Sequence, residues 1–228
     1  MNCRAIIFDL DGTLLNTLDD LGNAMNRTLE QEGFPTHPID AYRYFVGNGA
    51  LKLVMRALPE THRTPETLQR CLTIFLADYQ QHCNVHTKPY EGVSEMLDAL
   101  VARDIKIAVL SNKPDAEAKR CVAELLPKWR FEIVLGQREG IPHKPDPIGA
   151  REIANYLQLS PEACLYVGDT SVDMQTAIAA YMFPIGVLWG FRPRQELEES
   201  GAQTLVTHPQ EIVQFLDTQA SPCRSETS

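Results

Sequence analysis

The sequence lacks the features that mark secreted, membrane-spanning and nucleic-acid-binding proteins. Its 6 cysteines include no Cys-x-x-Cys pair, and its first residues lack the charged-then-apolar pattern of a signal peptide. No apolar run approaches the ~20 residues that a membrane-spanning helix needs. Lys and Arg number 21 against 30 Asp and Glu, which gives a net charge of -9 without any basic run. These absences predict a reduced, cytoplasmic chain without nucleic-acid or membrane partners, and we expect a monomer or homodimer.

What the sequence does contain is a series of short apolar runs that are rich in β-branched residues. With 228 residues and 44% hydrophobic positions, the chain can bury one sizeable core. The runs predict buried strands over residues 5–8, 105–110, 131–135, 165–167, 185–188 and 204–206. Between most of them, apolar residues recur at helical spacing. The alternation predicts an α/β fold, a doubly wound parallel sheet with helices on both faces.

One interval departs from this alternation. Residues 16–86 hold helical patterns and no convincing strand. One predicted helix begins at Leu18 and stops at Gly33, a second spans residues 50–58, and a third begins at Thr64 as its N-cap. We therefore predict an α/β catalytic core of residues 1–15 and 87–217, an all-helical cap of residues 16–86 inserted after the first strand, and a disordered tail of residues 218–228.

Polar residues follow the ends of several predicted strands. Asp9 and Asp11 follow the first strand, Ser111, Asn112 and Lys113 the second, and Gly168, Asp169 and Asp173 the fourth. Lys144 lies in a loop, residues 140–147, with prolines on both sides of it. In open α/β sheets, ligands bind beyond the carboxyl ends of the strands, where the strand order reverses. If the fourth strand returns to lie beside the first, these groups meet at one site.

The residue types at this predicted site favour phosphoryl transfer. Several carboxylates together suit Mg²⁺, which prefers hard oxygen ligands and substrate phosphate oxygens. Two aspartates one residue apart resist joint ionisation unless a cation or a proton-transfer task compensates. An ionised Asp9 attacks without a base, and Asp11 with a raised pKa gives the leaving alkoxide its proton. We expect Lys144 to neutralise the phosphate oxygens, and Ser111 to hold the phosphoryl group.

Four stretches resemble the motifs of the haloacid dehalogenase superfamily, in the same order. They are FDLDGTL (8–14), LSN (110–112), Lys144-Pro145 and VGDTSVD (167–173). The resemblance covers residues 1 to about 217, and the predicted helical insert matches the cap that this family carries after its first motif.

The resemblance implies an aspartyl-phosphate intermediate and Mg²⁺ as cofactor. By motif position, Asp9, the backbone carbonyl of Asp11 and Asp169 are implied metal ligands, and Asp173 is implied to support them from nearby. Dehalogenases of the family lack the second aspartate, so Asp11 implies a phosphatase here. The substrate is then a small phosphorylated metabolite.

Further stretches resemble phosphoglycolate phosphatases within the superfamily. They are YFVGNGALKLVMRAL (44–58), KPYEGV (88–93), SNKPD (111–115) and GVLWGFR (186–192). Gly47, Asn48 and Gly49 precede a predicted helix, where N–H groups and an amide would meet a substrate carboxylate; without that role they are only a helix entry. The favoured substrate is 2-phosphoglycolate. The alternatives are a sugar phosphomutase of the β-phosphoglucomutase type, a pyrophosphatase, or a catalytically idle binding member.

Overall fold

The apolar runs of the sequence form strands in a computed structural model that describes residues 3–220. In chain order the elements are β1 (Ala5–Phe8), β2 (Leu15–Asn16), α1 (Leu18–Gln31), α2 (Tyr42–Phe45), α3 (Ala50–Ala57), α4 (Pro65–His82), β3 (Lys88–Pro89), α5 (Val93–Ala102), β4 (Lys106–Pro114), α6 (Asp115–Leu125), β5 (Ile133–Gln137), α7 (Ile148–Tyr156), β6 (Cys164–Gly168), α8 (Ser171–Ala180), β7 (Phe183–Val187), α9 (Arg194–Glu199), β8 (Thr204–Val206) and α10 (Gln210–Ala220).

Six strands form a parallel sheet in the order β5-β4-β1-β6-β7-β8. The chain winds outward from β1 through β4 to β5, and then returns to place β6 beside β1. The strand order therefore reverses at β1. This confirms the predicted doubly wound α/β fold, and it puts the position where such sheets bind ligands at the carboxyl end of β1.

Alternate residues of β1 belong to two hydrophobic cores. Ile6 and Phe8 pack in the core that also contains side chains of α5 and α10, whereas Ala5 and Ile7 pack with side chains of α7 and α8. Because successive strand side chains point to opposite faces, the two cores lie on opposite faces of the sheet. All four side chains are buried, so the strand is a continuous apolar run in the sequence.

Four helices, α1 to α4, lie between β2 and β3, and we call them the helical insert. Beyond α1, Gly33 has a φ of 74°, which suits the glycine after a helix end. At the start of α4, the Thr64 hydroxyl accepts a hydrogen bond from the Thr67 amide at 3.3 Å. The predicted boundaries at Gly33 and Thr64 are confirmed, whereas the short helix α2 is absent from the prediction.

A two-residue antiparallel ribbon joins the ends of the helical insert, since β2 pairs with β3. Beside it, the buried Asp20 carboxylate accepts hydrogen bonds from the Thr87 hydroxyl at 2.7 Å and from the amides of Thr87 and His86 at 2.9 and 3.0 Å. The expectation that residues 16–86 contain no strand is therefore wrong at Asn16. Two-residue strands carry no periodicity that a sequence pattern could reveal.

The end of β4 needs a second correction. The strand was expected to end at Leu110, but it extends to Pro114, and its pairing with β5 shifts register between these two residues. Residues 111–113 therefore lie within an irregular strand rather than after it. Polar side chains at the end of a strand carry no apolar pattern, and this hid the extension from the sequence.

The carboxyl-terminal helix α10 runs to Ala220. Residues 218–220 of the predicted tail are therefore helical, and the rest of that prediction lies outside the described residues. Within residues 3–220, no helix combines the length and the apolar character that crossing a bilayer requires.

Candidate active site

Three strands bring their polar residues together at the centre of the sheet. The last residue of β1 pairs with Val109 of β4 on one side and with Val167 of β6 on the other. Asp9 follows directly, and its amide donates to the Val167 carbonyl at 2.9 Å. Ser111 and Asp169 lie two residues beyond these partners. All three polar residues therefore reach the same crevice, as the sequence predicts.

Lys144 joins two carboxylates of the crevice. Its ammonium lies 2.9 Å from Oδ1 of Asp9 and 2.7 Å from Oδ1 of Asp173, and it donates to the Leu110 carbonyl at 3.1 Å. The lysine comes from the loop between β5 and α7. Asn112 holds that loop, because its side chain accepts from the Lys144 amide at 2.8 Å and donates to the Lys144 carbonyl at 3.1 Å.

Three buried carboxylates converge around this lysine. Asp9, Asp169 and Asp173 each offer an oxygen within 4.8 Å of the others. Lys144 supplies one positive charge against these three negative ones. Oxygen donors with excess negative charge suit a hard divalent cation such as Mg²⁺, so the residues present fit the predicted cofactor.

Burial and the nearby charge of Asp173 raise the pKa of two of these carboxyl groups, Asp9 and Asp169. Burial, and after it the charge of Asp173, raises the pKa of Asp9 well above its usual value, although Lys144 opposes the change. Burial and Asp173 also raise the pKa of Asp169 to about 7, against two hydrogen bonds that its carboxylate accepts. A divalent cation at these oxygens would relieve the repulsion and favour the ionised forms.

Asp173 connects Lys144 to the start of α8. Its Oδ1 pairs with Lys144, and its Oδ2 accepts from the Thr170 amide at 3.1 Å and the Thr170 hydroxyl at 2.7 Å. Thr170 is the N-cap of α8, so the same carboxylate stabilises the start of the helix. These contacts agree with the supporting role predicted for Asp173 beside the predicted metal ligands.

Asp169 packs against two glycines, where any larger residue would clash with it. A Cβ atom on Gly12 would lie 2.3 Å from Oδ2 of Asp169, and one on Gly190 would lie 2.2 Å from its Cβ. Gly12 also has a φ of 87°, which glycine adopts readily. The carboxylate is fixed by the Thr13 hydroxyl at 3.1 Å and by the Phe191 amide at 2.8 Å. Asp169 is therefore held rigidly at the crevice.

The Asp11 carboxylate turns to Lys113 and lies outside the carboxylate cluster. The lysine Nζ lies 2.9 and 3.0 Å from the two Asp11 oxygens, and 2.9 Å from the Tyr79 hydroxyl of α4. Burial opposes this charge, but the Asp11 carboxylate holds the pKa of Lys113 well above its usual value. The sequence places Lys113 at the predicted site but assigns it no role, although strand alternation puts it on the same side of β4 as Ser111.

The loop between α2 and α3 lies over the crevice. The Gly47 carbonyl accepts from the Asn112 side chain at 3.1 Å. A Cβ atom on Gly49 would lie 2.8 Å from the His143 ring, in the loop that carries Lys144. Both glycines therefore contact the core at the place where the sequence predicts substrate binding.

Asn48, between these two glycines, has a partner within the helical insert. Its Oδ1 accepts from the Arg56 guanidinium at 2.8 Å, and Arg56 also donates to the Phe45 carbonyl at 3.0 Å. Asn48 and Arg56 thus stabilise the loop itself. A direct contact between the Asn48 amide and a substrate stays a prediction.

Two further arginines connect the helical insert to the segment after β7. Arg192, which is only 9% exposed, donates to the carbonyls of Arg43 and Val46 at the end of α2, the latter at 2.9 Å. Arg43 donates in return to the Gly190 carbonyl at 2.9 Å. Neither residue is among the predicted site residues, because their partners lie far away in the sequence.

A pocket with largely apolar walls lies between the crevice and the helical insert. The core contributes Asp9, Asp11, Ser111, Asn112, Lys113 and Pro114, and the insert contributes Leu21, Val46, Gly47, Gly49, Ala50, Leu53, Phe75, Leu76 and Tyr79. Among the described residues that line it, Lys113 is the only lysine or arginine. Two carboxylates, those of Asp9 and Asp11, and the Lys113 ammonium therefore face a largely apolar space.

The sequence and the fold of the chain match known proteins. A protein-family model described as haloacid dehalogenase-like hydrolase matches residues 6–187. The chain belongs to this family. A phosphoglycolate phosphatase from Colwellia psychrerythraea is 33% identical over 205 residues, which cover 88% of this chain and 91% of the relative. An N-acetylmuramic acid 6-phosphate phosphatase from Pseudomonas aeruginosa is 29% identical and covers 98% of this chain and 99% of the relative.

Solved structures of the haloacid dehalogenase-like family agree. A protein from Lactobacillus delbrueckii assigned as a phosphoglycolate phosphatase superposes with a TM-score of 0.89 at 32% identity, over 95% of this chain and 99% of that chain. The predicted family, fold and phosphatase class are confirmed. The two curated relatives are phosphatases named for different substrates, so the family alone does not determine the substrate of this chain.

Proposed function

We propose that this hydrolase is a Mg²⁺-dependent phosphatase that cleaves a small phosphomonoester through an aspartyl-phosphate, with 2-phosphoglycolate as its favoured substrate. The observation that carries the proposal is the pair of aspartates at the floor of one pocket, Asp9 against Lys144 and Asp11 against Lys113. Two carboxylates in different surroundings can perform two different tasks.

Asp9 acts as the nucleophile. The Lys144 ammonium and the Leu10 amide both contact its Oδ1, at 2.9 and 2.7 Å, so we assign the attack to Oδ2. A bond forms between Oδ2 and phosphorus while the bond from phosphorus to the leaving oxygen breaks. Ser111 donates a hydrogen bond to the phosphoryl group, and Lys144 offsets its negative charge.

Asp11 acts first as an acid and then as a base. Its carboxylic acid gives a proton to the leaving alkoxide as the ester bond breaks. The resulting carboxylate takes a proton from a water molecule whose oxygen attacks phosphorus. The bond between phosphorus and Asp9 then breaks, and inorganic phosphate and the free enzyme result.

Asp9, Asp169 and the backbone carbonyl of Asp11 would hold the Mg²⁺ ion, while Asp173 keeps Lys144 in place. Three converging carboxylates against one ammonium fit a divalent cation. When bound, the ion supplies positive charge that lets a carboxylate approach a phosphate dianion. Ca²⁺ should inhibit, because its larger and looser shell of ligands would displace Asp9 from an in-line position.

The pocket favours a small acid as the leaving group over a sugar or a second phosphate. The insert side presents mainly aliphatic and aromatic side chains such as Leu53 and Phe75. Each sugar hydroxyl that left water without a new hydrogen bond would cost about 1–3 kcal/mol. Pyrophosphate would bring a second strongly charged group to a pocket whose described lining holds one ammonium, Lys113.

A substrate panel tests this function. The purified protein is assayed for released phosphate with 2-phosphoglycolate, β-glucose 1-phosphate, pyrophosphate and p-nitrophenyl phosphate, and the Asp9→Asn variant reports any contaminating phosphatase. We expect the highest kcat/KM for 2-phosphoglycolate with Mg²⁺, and no release with excess chelator. Movement of phosphate within the sugar would instead indicate a phosphomutase, preference for pyrophosphate a pyrophosphatase, and no release from any substrate a binding protein.

A further inference from the structure

Lys113 provides a positive charge at the wall of the pocket, beside Asp11. Its ammonium contacts both oxygens of Asp11, the acid assigned to that leaving group, at 2.9 and 3.0 Å. Its side chain is only 2% exposed, and it lines the pocket together with Asp9 and Ser111. A group attached to the ester oxygen therefore projects toward Lys113.

Because the pocket walls are largely apolar, the charge of Lys113 is important for binding an anionic leaving group. A carboxylate that enters an apolar pocket loses its hydration, and this is costly unless a buried cation compensates. Lys113 is the only lysine or arginine among the described lining residues, and the Tyr79 hydroxyl holds it from the helical insert at 2.9 Å. A substrate carboxylate thus meets a single preformed partner.

Three other cations near the crevice do not line this pocket. Lys144 is bound between Asp9 and Asp173. Arg43 donates to the Gly190 carbonyl, and Arg56 donates to the Phe45 carbonyl and to Asn48. None of these three cations lines the pocket in the part of the chain that the structure describes.

We propose that Lys113 determines substrate specificity by binding the carboxylate of the leaving group, and that it exchanges its ion pair with Asp11 for that contact. This rests on the proposed function and deepens it. The favoured substrates are phosphate esters of short hydroxy acids, in which the carboxylate lies a few bonds from the ester oxygen. The exchange also frees the Asp11 carboxylate, which takes a proton from solvent and turns toward the leaving oxygen as the acid.

The test compares two substrates that differ in one charge. In 2-hydroxyethyl phosphate, a neutral hydroxymethyl group replaces the carboxylate of 2-phosphoglycolate at similar size. Lys113→Met should lower kcat/KM for 2-phosphoglycolate by about 10- to 100-fold, mainly through KM, because a hydrogen bond to a charged group is lost. The loss for 2-hydroxyethyl phosphate should stay within about threefold, since no charge contact is removed there.

Two further variants make the test specific. Lys113→Arg keeps the charge and should restore part of the preference for 2-phosphoglycolate. Lys119→Met removes an exposed lysine of α6 that pairs with Asp115, and it should leave kcat/KM unchanged for both substrates. Inhibition by inorganic phosphate, which uses the phosphoryl site alone, should be unchanged in Lys113→Met, and this shows that the variant is folded.

Other results would overturn the proposal. Equal losses on both substrates would mean that Lys113 acts only through Asp11 or through the helical insert, and unchanged kinetics would mean that it binds no leaving group. In either case a wild-type preference for 2-phosphoglycolate would leave the proposed function standing. A wild type without that preference would overturn the substrate assignment and the role of Lys113 with it.

Discussion

At the scale of single residues, Asp9 and Asp11 are neighbours in sequence with different surroundings. Asp9 shares Lys144 with Asp173 inside a buried cluster of carboxylates. Asp11 has its own ammonium, Lys113, at the wall of the pocket. The first arrangement suits a nucleophile that a cation keeps ionised, and the second leaves Asp11 at the pocket wall, where an acid must meet the leaving oxygen.

Gly12, which lies between these aspartates and Asp169, combines a positive φ with a close approach to the Asp169 carboxylate. We expect Gly12→Ala to lower the free energy of unfolding by about 2–4 kcal/mol, because it adds both backbone strain and a clash. Its φ is 87°, and the new Cβ would lie 2.3 Å from Oδ2 of Asp169. Phosphatase activity should fall with it, since Asp169 must move. Urea unfolding and steady-state kinetics measure the two effects.

Gly140→Ala is the matched control for this prediction. Gly140 has a φ of 75°, and no heavy atom of the described residues lies within 4 Å of the added Cβ. Gly140→Ala should lower the free energy of unfolding by only about 1 kcal/mol, from backbone strain, and the variant should keep its activity. Equal losses in both variants would show that strain alone explains Gly12 and that contact with Asp169 is unimportant.

At the scale of elements, the sequence predicts long segments and misses short ones. The boundaries of β1 and the N-cap of α4 follow from an apolar run and from Thr64 before Pro65. The strands β2 and β3 and the helix α2 have two to four residues, too few for any periodicity. Their structure depends on tertiary contacts. One of these is the hydrogen bond that Arg192 donates to the Val46 carbonyl at the end of α2.

We expect Arg192→Met to loosen the loop between α2 and α3. The change removes two hydrogen bonds to carbonyls of the helical insert, from Arg43 and Val46. Amide hydrogen exchange should become faster in residues 43–50, and kcat/KM should fall by about 5- to 20-fold, because closure over the substrate becomes less favourable. Hydrogen exchange followed by mass spectrometry measures the first effect directly.

Arg194→Met serves as the comparison. Arg194 lies two residues further along, is exposed, and pairs with Glu198 at 3.3 Å on the surface of α9. Its loss should leave both hydrogen exchange and kinetics unchanged, since exposed pairs contribute about 0–1 kcal/mol. If Arg192→Met behaves in the same way, the contact between Arg192 and α2 does not control the loop.

At the scale of the whole molecule, the sequence predicts the site through the topology. Asp9 and Asp169 follow separate strands, Ser111 lies in the irregular last part of β4, and a doubly wound sheet brings these strand ends together at β1. The contacts of Lys113 and Arg192 escape prediction for the opposite reason. Each is a long side chain whose partner, Tyr79 or Val46, comes from a different layer, and no local pattern encodes that pairing.

The excess negative charge of the site should appear in the stability of the molecule. We expect Mg²⁺ to raise Tm, because a ligand bound only by the folded state stabilises it by about 2.7 kcal/mol at 100 times its Kd. Asp169→Asn should reduce this response, since it removes one of three converging carboxylates. Thermal melting with and without Mg²⁺ measures it.

Asp104→Asn controls for the loss of one acidic residue. Asp104 is exposed and has a φ of 58°, a conformation that asparagine tolerates. Its response to Mg²⁺ should equal that of the wild type. A wild type whose Tm does not respond to Mg²⁺, or an unchanged response in Asp169→Asn, would contradict a metal site at these carboxylates.

The most direct test of the central claim is to trap the covalent intermediate. The enzyme is mixed with 2-phosphoglycolate and Mg²⁺, quenched in acid within the first turnovers, digested and analysed by mass spectrometry. The account predicts one added phosphoryl group on the peptide that contains Asp9, located on that residue, and none in Asp9→Asn, which should be folded and inactive. A phosphoryl group on another residue, or turnover by Asp9→Asn within tenfold of the wild type, would contradict it.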